Sequence, residues 1–163
     1  MRRINYIILH CSDSEWGDAK VIDAWHKARG WKKIGYHYVV LNGYRTYHQY
    51  IHQKRAEVGV VEKGRKDSEI GAHVKGMNKH SIGVCMIGIK YFPFMELHMT
   101  FKLLAHLLIE YKLPINRLLG HYETPTGKAQ GKTCPNIDMK YVRMWVKGYI
   151  GFLKIFPSKF VQK

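Results

Sequence analysis

The chain has 163 residues, and 27 lysines and arginines against 12 aspartates and glutamates leave a formal charge of +15. Apolar residues at 46% and aromatics at 13% supply one packed core, which excludes a disordered polyelectrolyte, and the length favours a single domain. No apolar run approaches the ~18 residues of a membrane-spanning helix, and three cysteines are too few for a disulfide scaffold, so sulfur is expected as thiol or metal ligand in a reducing compartment.

After Met1-Arg2-Arg3 the run Ile7-Ile8-Leu9 stops at His10, too short for a secretory signal, so synthesis in the cytoplasm without a signal peptide is expected. Period-2 alternation puts Ile4, Tyr6, Ile8 and His10 on one face of a first strand, with Asn5, Ile7, Leu9 and Cys11 on the other. The polar stretch from Cys11 to Gly17 reads as a loop. Val21, Ala24, Trp25 and Ala28 recur at helical spacing until Gly30. A second strand is predicted over 36–41, ending at the turn signal Asn42-Gly43. Residues 44–57 have poor periodicity and read as an irregular excursion or an extra hairpin. Strands are then expected at Val58–Val61 and, as a central apolar run, at Ser81–Gly88.

Thr100 is a candidate N-cap for a helix that buries Leu103, Leu104, Leu107, Leu108 and Tyr111 and stops before Pro114. Ile115–Leu119 reads as a short strand leading to Gly120-His121, and 124–133 as a loop. A last helix over 138–150 carries Met139, Val142, Trp145 and Val146 on one side. These elements add up to a single α/β domain over 1–163 with a mixed central β-sheet flanked by helices.

The charge points to a polyanion: nucleic acid, an acidic membrane face or an anionic cell-wall polymer, against the plainer reading of a solvated cationic surface. Ten histidines invite a metal reading. His10 ends one strand, His121 follows another, and Cys134 lies 13 residues further on. Two imidazoles and a thiolate suit zinc, with a fourth position left for water. Spacing alone leaves structural histidines and a buried thiol as open alternatives.

Six stretches occur in one order: Ile8-Leu-His-Cys-Ser12, Trp31-Lys-Lys-Ile-Gly-Tyr-His-Tyr38, Ile70-Gly-Ala-His-Val-Lys-Gly-Met-Asn78, Ser81-Ile-Gly-Val-Cys85, Gly120-His-Tyr-Glu123 and Gly131-Lys-Thr-Cys-Pro135. Together they resemble the zinc-dependent N-acetylmuramoyl-L-alanine amidases of the phage-lysin and peptidoglycan-recognition superfamily, from about Ile4 to Trp145. The resemblance implies an amidase/peptidoglycan-recognition-like fold and Zn²⁺ on His10, His121 and Cys134. It also implies a catalytic tyrosine at Tyr36, a catalytic lysine at Lys132, and a substrate-groove residue at His73. These types suit the chemistry, because zinc lowers the pKa of its water to about 7 and polarises a carbonyl. A tyrosine hydroxyl and a lysine ammonium then stabilise an oxyanion. The implied reaction is hydrolysis of the amide joining the lactyl group of N-acetylmuramic acid to L-alanine, as in a prophage-type lysin that reaches the wall after release or by another export route.

Two departures from the family pattern stand out: an insertion at about 44–57, and a long loop from His121 to Cys134 that offers Lys128 as well as Lys132. Glu123 reads as a loop or supporting residue rather than a general base. His37 is expected on the strand face opposite Tyr36, Cys11 away from the metal, and Cys85 in the core. His26 and His106 read as packing or surface residues, and the cluster Tyr44, Tyr47, His48, Tyr50 and His52 as a partly buried hairpin face or a surface that stacks on sugars or bases. The expected partners are peptidoglycan and, through the charge, anionic wall polymers, with no membrane span and no specific nucleic acid. A non-catalytic peptidoglycan-binding protein and a basic nucleic-acid-binding protein are the competing readings.

Overall fold

The first strand, β1 (Tyr6–Cys11), is the middle of the molecule: Ile7, Ile8 and Leu9 are fully buried, as a strand covered on both faces requires. The computed structural model describes residues 2–157; Met1 and the stretch past 157, both within the expected domain, lie outside the described residues. In chain order there follow α1 (Ala19–Ala28), β2 (Tyr38–Val40), α2 (Tyr47–Ile51), β3 (Val61–Lys63) and β4 (Ser81–Met86). Next come α3 (Phe94–Glu110), β5 (Leu118–Gly120), α4 (Pro125–Ala129) and α5 (Met139–Ile155).

The sheet order is β3-β2-β4-β1-β5. Only the β2–β3 pair is antiparallel. This is the mixed sheet flanked by helices that the patterning predicts. Period-2 alternation splits the core: Ile7, Leu9, Val40, Ile82, Val84 and Met86 pack with the α3 leucines and with Met139, Val142 and Val146 of α5. On the other face Val39, Leu41, Cys85 and Ile87 meet Ile22 and Trp25 of α1. Asp18 caps α1 by accepting the Val21 N–H at 2.8 Å.

Several elements differ from the expected ones. The regular ladder of β2 begins at Tyr38, although the His37 N–H already bonds the Gly83 carbonyl of β4 at 2.9 Å, and the Tyr36 and His37 carbonyls accept the Arg65 and Gly64 N–H groups. Positive φ at Glu57 and Gly59 breaks the expected strand at Val58, so β3 starts at Val61. Residues 44–57 form no hairpin: Thr46 and Gln49 make a reciprocal capping box for α2, and Arg45 ties the segment to Glu57, Glu62 and Asp18. Thr100 is a buried interior residue of α3, which begins at Phe94 after Pro93. The segment Ile115–Arg117 is a 3₁₀ turn, since only Leu118–Gly120 finds a ladder partner in β1. Within the expected loop 124–133, Thr124 caps α4 with Pro125 at its first position. Finally, Trp145 points away from Met139, Val142 and Val146 and is 55% exposed.

Candidate metal centre

Strand register builds the centre. Leu9 of β1 lies opposite Gly120 of β5, so the next residues along the two parallel strands, His10 and His121, emerge side by side at their C-terminal ends. Their ring centroids are 4.8 Å apart. Ends of parallel strands are where open α/β sheets place ligand sites. Cys134 reaches the same point from the loop after α4: its carbonyl accepts the Tyr122 N–H at 3.0 Å, and its Sγ accepts the Cys11 N–H at 3.2 Å. His10 Nδ1 lies 3.8 Å from Cys134 Sγ. One ligand atom from each of His10, His121 and Cys134 falls within 4.8 Å of the others.

A buried hydrogen-bond chain sets the His10 tautomer. His10 Nε2 meets His73 Nδ1 at 3.0 Å, His73 Nε2 meets Ser81 Oγ at 3.3 Å, and Ser81 Oγ donates to the Met77 carbonyl at 2.9 Å. Reading back from that carbonyl, each group donates to the next and His10 carries its proton on Nε2, leaving the Nδ1 lone pair toward Cys134. Burial, with His73 and His121 nearby, holds the His10 pKa well below its ordinary value, so the ring is neutral as a ligand must be. Burial, reinforced by Lys132, lowers His121 in the same sense.

The thiol behaves differently. Contact with the Cys11 thiol and then burial push Cys134 well above the usual thiol range. Only a cation placed among these ligands would draw it to thiolate, which is the coupling expected of a thiolate metal site. The donor set, two neutral imidazoles and a thiol at strand ends, fits Zn²⁺. Cys11, expected to face away, instead touches Cys134 and lines the same cavity, though it is outside the three-ligand cluster.

That cavity, about 360 Å³, is lined by Tyr36, His73, His121, Lys132 and Cys134 among others. Tyr36 is set by α1: His26 Nδ1 accepts the Gly35 N–H at 2.9 Å, and Asp23 accepts the Ile34 N–H at 2.7 Å. A Cβ on Gly35 would sit 2.1 Å from the Ala72 carbonyl oxygen, so only glycine lets the two backbones close here. The Tyr36 ring lies 5.1 Å from that of His10, and burial holds its phenol protonated, well above its ordinary pKa. Lys132 is exposed at the rim, whereas Lys128, on α4, does not line the cavity. No residue of 44–57 lines it either.

His73 is the residue that motif reading underdescribed. Its ring fills a slot in which a Cβ on Gly83 would come within 2.7 Å, and Asn78 Oδ1 fixes its loop by accepting the His73 and Val74 N–H groups at 2.8 Å each. The Asn five positions after the histidine was the legible sign of that clamp. His37 is buried, with Nδ1 accepting the Gly83 N–H at 3.0 Å and its ring 5.8 Å from that of His73. Glu123 is held by Arg143 at 2.8 and 2.9 Å and by the Gly120 N–H, which fits a supporting role.

The family described as N-acetylmuramoyl-L-alanine amidase matches residues 1–137. The endolysin of Escherichia phage T7 is 32% identical over 152 residues, covering 86% of this chain and 85% of that protein. Among solved structures, the N-acetylmuramoyl-L-alanine amidase LysC from Clostridium intestinale URNW superposes with a TM-score of 0.70 at 21% identity, over 89% of this chain and 86% of that one. Drosophila PGRP-LB gives 0.62 at 21% identity, over 96% and 83%. At those identities the two structures bear on the fold.

Proposed function

Since this chain belongs to the N-acetylmuramoyl-L-alanine amidase family and is a peptidoglycan amidase of the lysin kind, we propose that His10, His121 and Cys134 hold Zn²⁺ and that Tyr36 and Lys132 act on the scissile carbonyl. The observation that supports this reading is the convergence of the three ligand atoms within 4.8 Å, beside a cavity lined by His121, Cys134, Tyr36 and Lys132. When bound, zinc supplies Lewis acidity toward the carbonyl and toward water. The protein's own residues do the rest. His73 keeps the His10 lone pair free by taking the opposite ring proton in a hydrogen bond. Tyr36, protonated because it is desolvated, donates its hydroxyl to the carbonyl oxygen as negative charge builds there. Lys132 adds a positive charge from the rim. The substrate contact assigned to His73 is compatible with its place in the cavity wall.

Among the described residues no helix is long and apolar enough to cross a membrane, and in this reading the enzyme acts on the cell wall. The charge of +15 serves, in this reading, to keep the enzyme on anionic wall polymers. The test is zinc content of the purified protein together with muramoyl-alanine cleavage, before and after a chelator. Zinc at one per chain, with activity lost on chelation and regained with added zinc, is the expected result. Full activity in a zinc-free protein would overturn it.

A further inference from the structure

Helix α5 is apolar on two sides. Its inner side is accounted for: Met139, Val142, Val146 and Leu153 are buried against the core. Its outer side should then be polar, as on any helix at a protein surface. It is not. Tyr141, Trp145, Phe152 and Phe156 follow one another at helical spacing, with Met144 and Ile155 beside them, and all six are 55–71% exposed. The gaps in this face are Gly148 and Gly151, which have open space where a side chain would stand. No charged residue interrupts it over the length of the helix, about 25 Å for 17 residues.

Lys140, Lys147 and Lys154 recur every seven residues and form one row along a single border of this face, all exposed. Around the end of the helix, Tyr149 bonds His98 at 2.5 Å, and Phe94, stacked on His98, is 76% exposed. An exposed patch of this size marks an interaction site. A second copy is a poor occupant, because each copy carries +15. A row of lysines beside tryptophan, tyrosine and phenylalanine is instead the layout of a helix lying in a bilayer interface, with ammonium groups at the phosphates and rings at the acyl boundary.

We propose that the outer face of α5 docks the protein on an anionic lipid bilayer, lying along its surface with Trp145 and Phe152 inserted and Lys140, Lys147 and Lys154 at the headgroups. The buried side of α5 stays packed, so docking needs no unfolding. The cavity lined by His121 and Cys134 lies at strand ends and contributes no residue to this face, so lipid binding and amide cleavage are separable.

The experiment is co-sedimentation of the full chain with vesicles containing phosphatidylglycerol, and with vesicles of phosphatidylcholine alone. Tryptophan emission is recorded in parallel, with Trp145→Phe to isolate the signal of that residue. Binding to the phosphatidylglycerol vesicles, with a blue shift that Trp145→Phe removes, is the expected result. The double variant Trp145→Glu/Phe152→Glu should lower the bound fraction about tenfold or more, with cleavage of a soluble muropeptide unchanged. The surface variant Lys140→Glu/Lys147→Glu/Lys154→Glu should remove the preference for the anionic vesicles while leaving the core untouched. No binding to anionic vesicles, or no effect of either variant on it, would overturn the proposal. So would a dimer in sedimentation velocity that Trp145→Glu dissolves, since the face would then belong to a second copy.

Discussion

In the proposed centre each group has a distinct task, and single substitutions separate them. Cys134→Ser replaces sulfur by oxygen with little change of size, so the fold should survive while zinc stoichiometry and activity fall. Cys11→Ser and Cys85→Ser should keep their zinc; full zinc in Cys134→Ser, measured by metal analysis, would contradict the ligand set. Tyr36→Phe keeps the ring between His10 and His26 and removes one hydroxyl. Turnover should drop on the order of 10²–10³-fold with zinc retained. Lys132→Ala should resemble it and Lys128→Ala should be mild, because only Lys132 borders the cavity; steady-state kinetics on a muropeptide decide. His73→Phe keeps a ring in the slot beside Gly83 but offers no acceptor to His10 Nε2. Loss of such a supporting partner typically costs about 10–100-fold in metal affinity. His73→Asn, which puts an oxygen near the lost nitrogen, should recover part of it in chelator competition.

The elements that could be read from sequence were those whose apolar pattern has one solution. β1 and β4 carry short apolar runs, Ile7–Leu9 and Ile82–Met86, that are fully buried, and the leucines of α3 recur on one side only. Short ladders were not readable in extent, because β2, β3 and β5 are three residues each and are bounded by partners elsewhere in the chain. The candidate ligands could be named by motif, and Asn78 signals the clamp on the His73 loop, but the chain from His10 through His73 to Ser81 depends on strand register, which no spacing shows. Trp145 was placed on the buried side of α5 because a helix with two apolar sides gives periodicity no way to choose between them. The capping pairs Thr46/Gln49 and Thr124/Pro125 were present in the sequence, hidden inside segments that lack a hydrophobic period.

Helix α3 also carries a conflict that pattern reading passes over. Glu96 is completely buried, and neither its carboxylate oxygens nor Thr100 Oγ1, one turn on, has a hydrogen-bond partner. The Ile87 N–H lies toward it but is bonded to the Val40 carbonyl at 3.0 Å. Burial raises the Glu96 pKa to about 9, with Arg55 opposing the shift and Glu15 adding to it. In the unfolded chain the group ionises near 4.3. Between these values the folded state holds a proton that the unfolded state has released, so stability falls as pH rises from about 4.3 to about 9. Glu96→Gln removes that slope. Its melting temperature should exceed that of the parent at pH 8 by several degrees, and the difference should vanish at pH 4. A pH-independent difference in thermal melts would show that Glu96 is ionised in the fold.

At the scale of the molecule the surplus of cations has to be reconciled with a catalytic centre that is itself nearly neutral. Among the described residues, Arg29 and Lys132 are the lysines and arginines that line the cavity, and the α5 row lies elsewhere. In the proposed reading the charge acts on where the enzyme stays more than on how it cuts. A tether made of diffuse surface charge is screened by salt, since the Debye length shrinks from about 10 Å at 0.1 M to about 3 Å at 1 M. Binding to isolated cell walls should fall steeply over that range. Cleavage of a small soluble muropeptide should change far less, because the proposed contacts of Tyr36 and the metal with the carbonyl are short-range and lie in a partly closed cavity. Running both substrates side by side through a salt series, with zinc content checked at each end, separates the two effects. Equal salt sensitivity on both would move the effect into the active site and reject the tether. Tight, salt-sensitive binding to DNA with none to cell walls would assign the charge to nucleic acid instead.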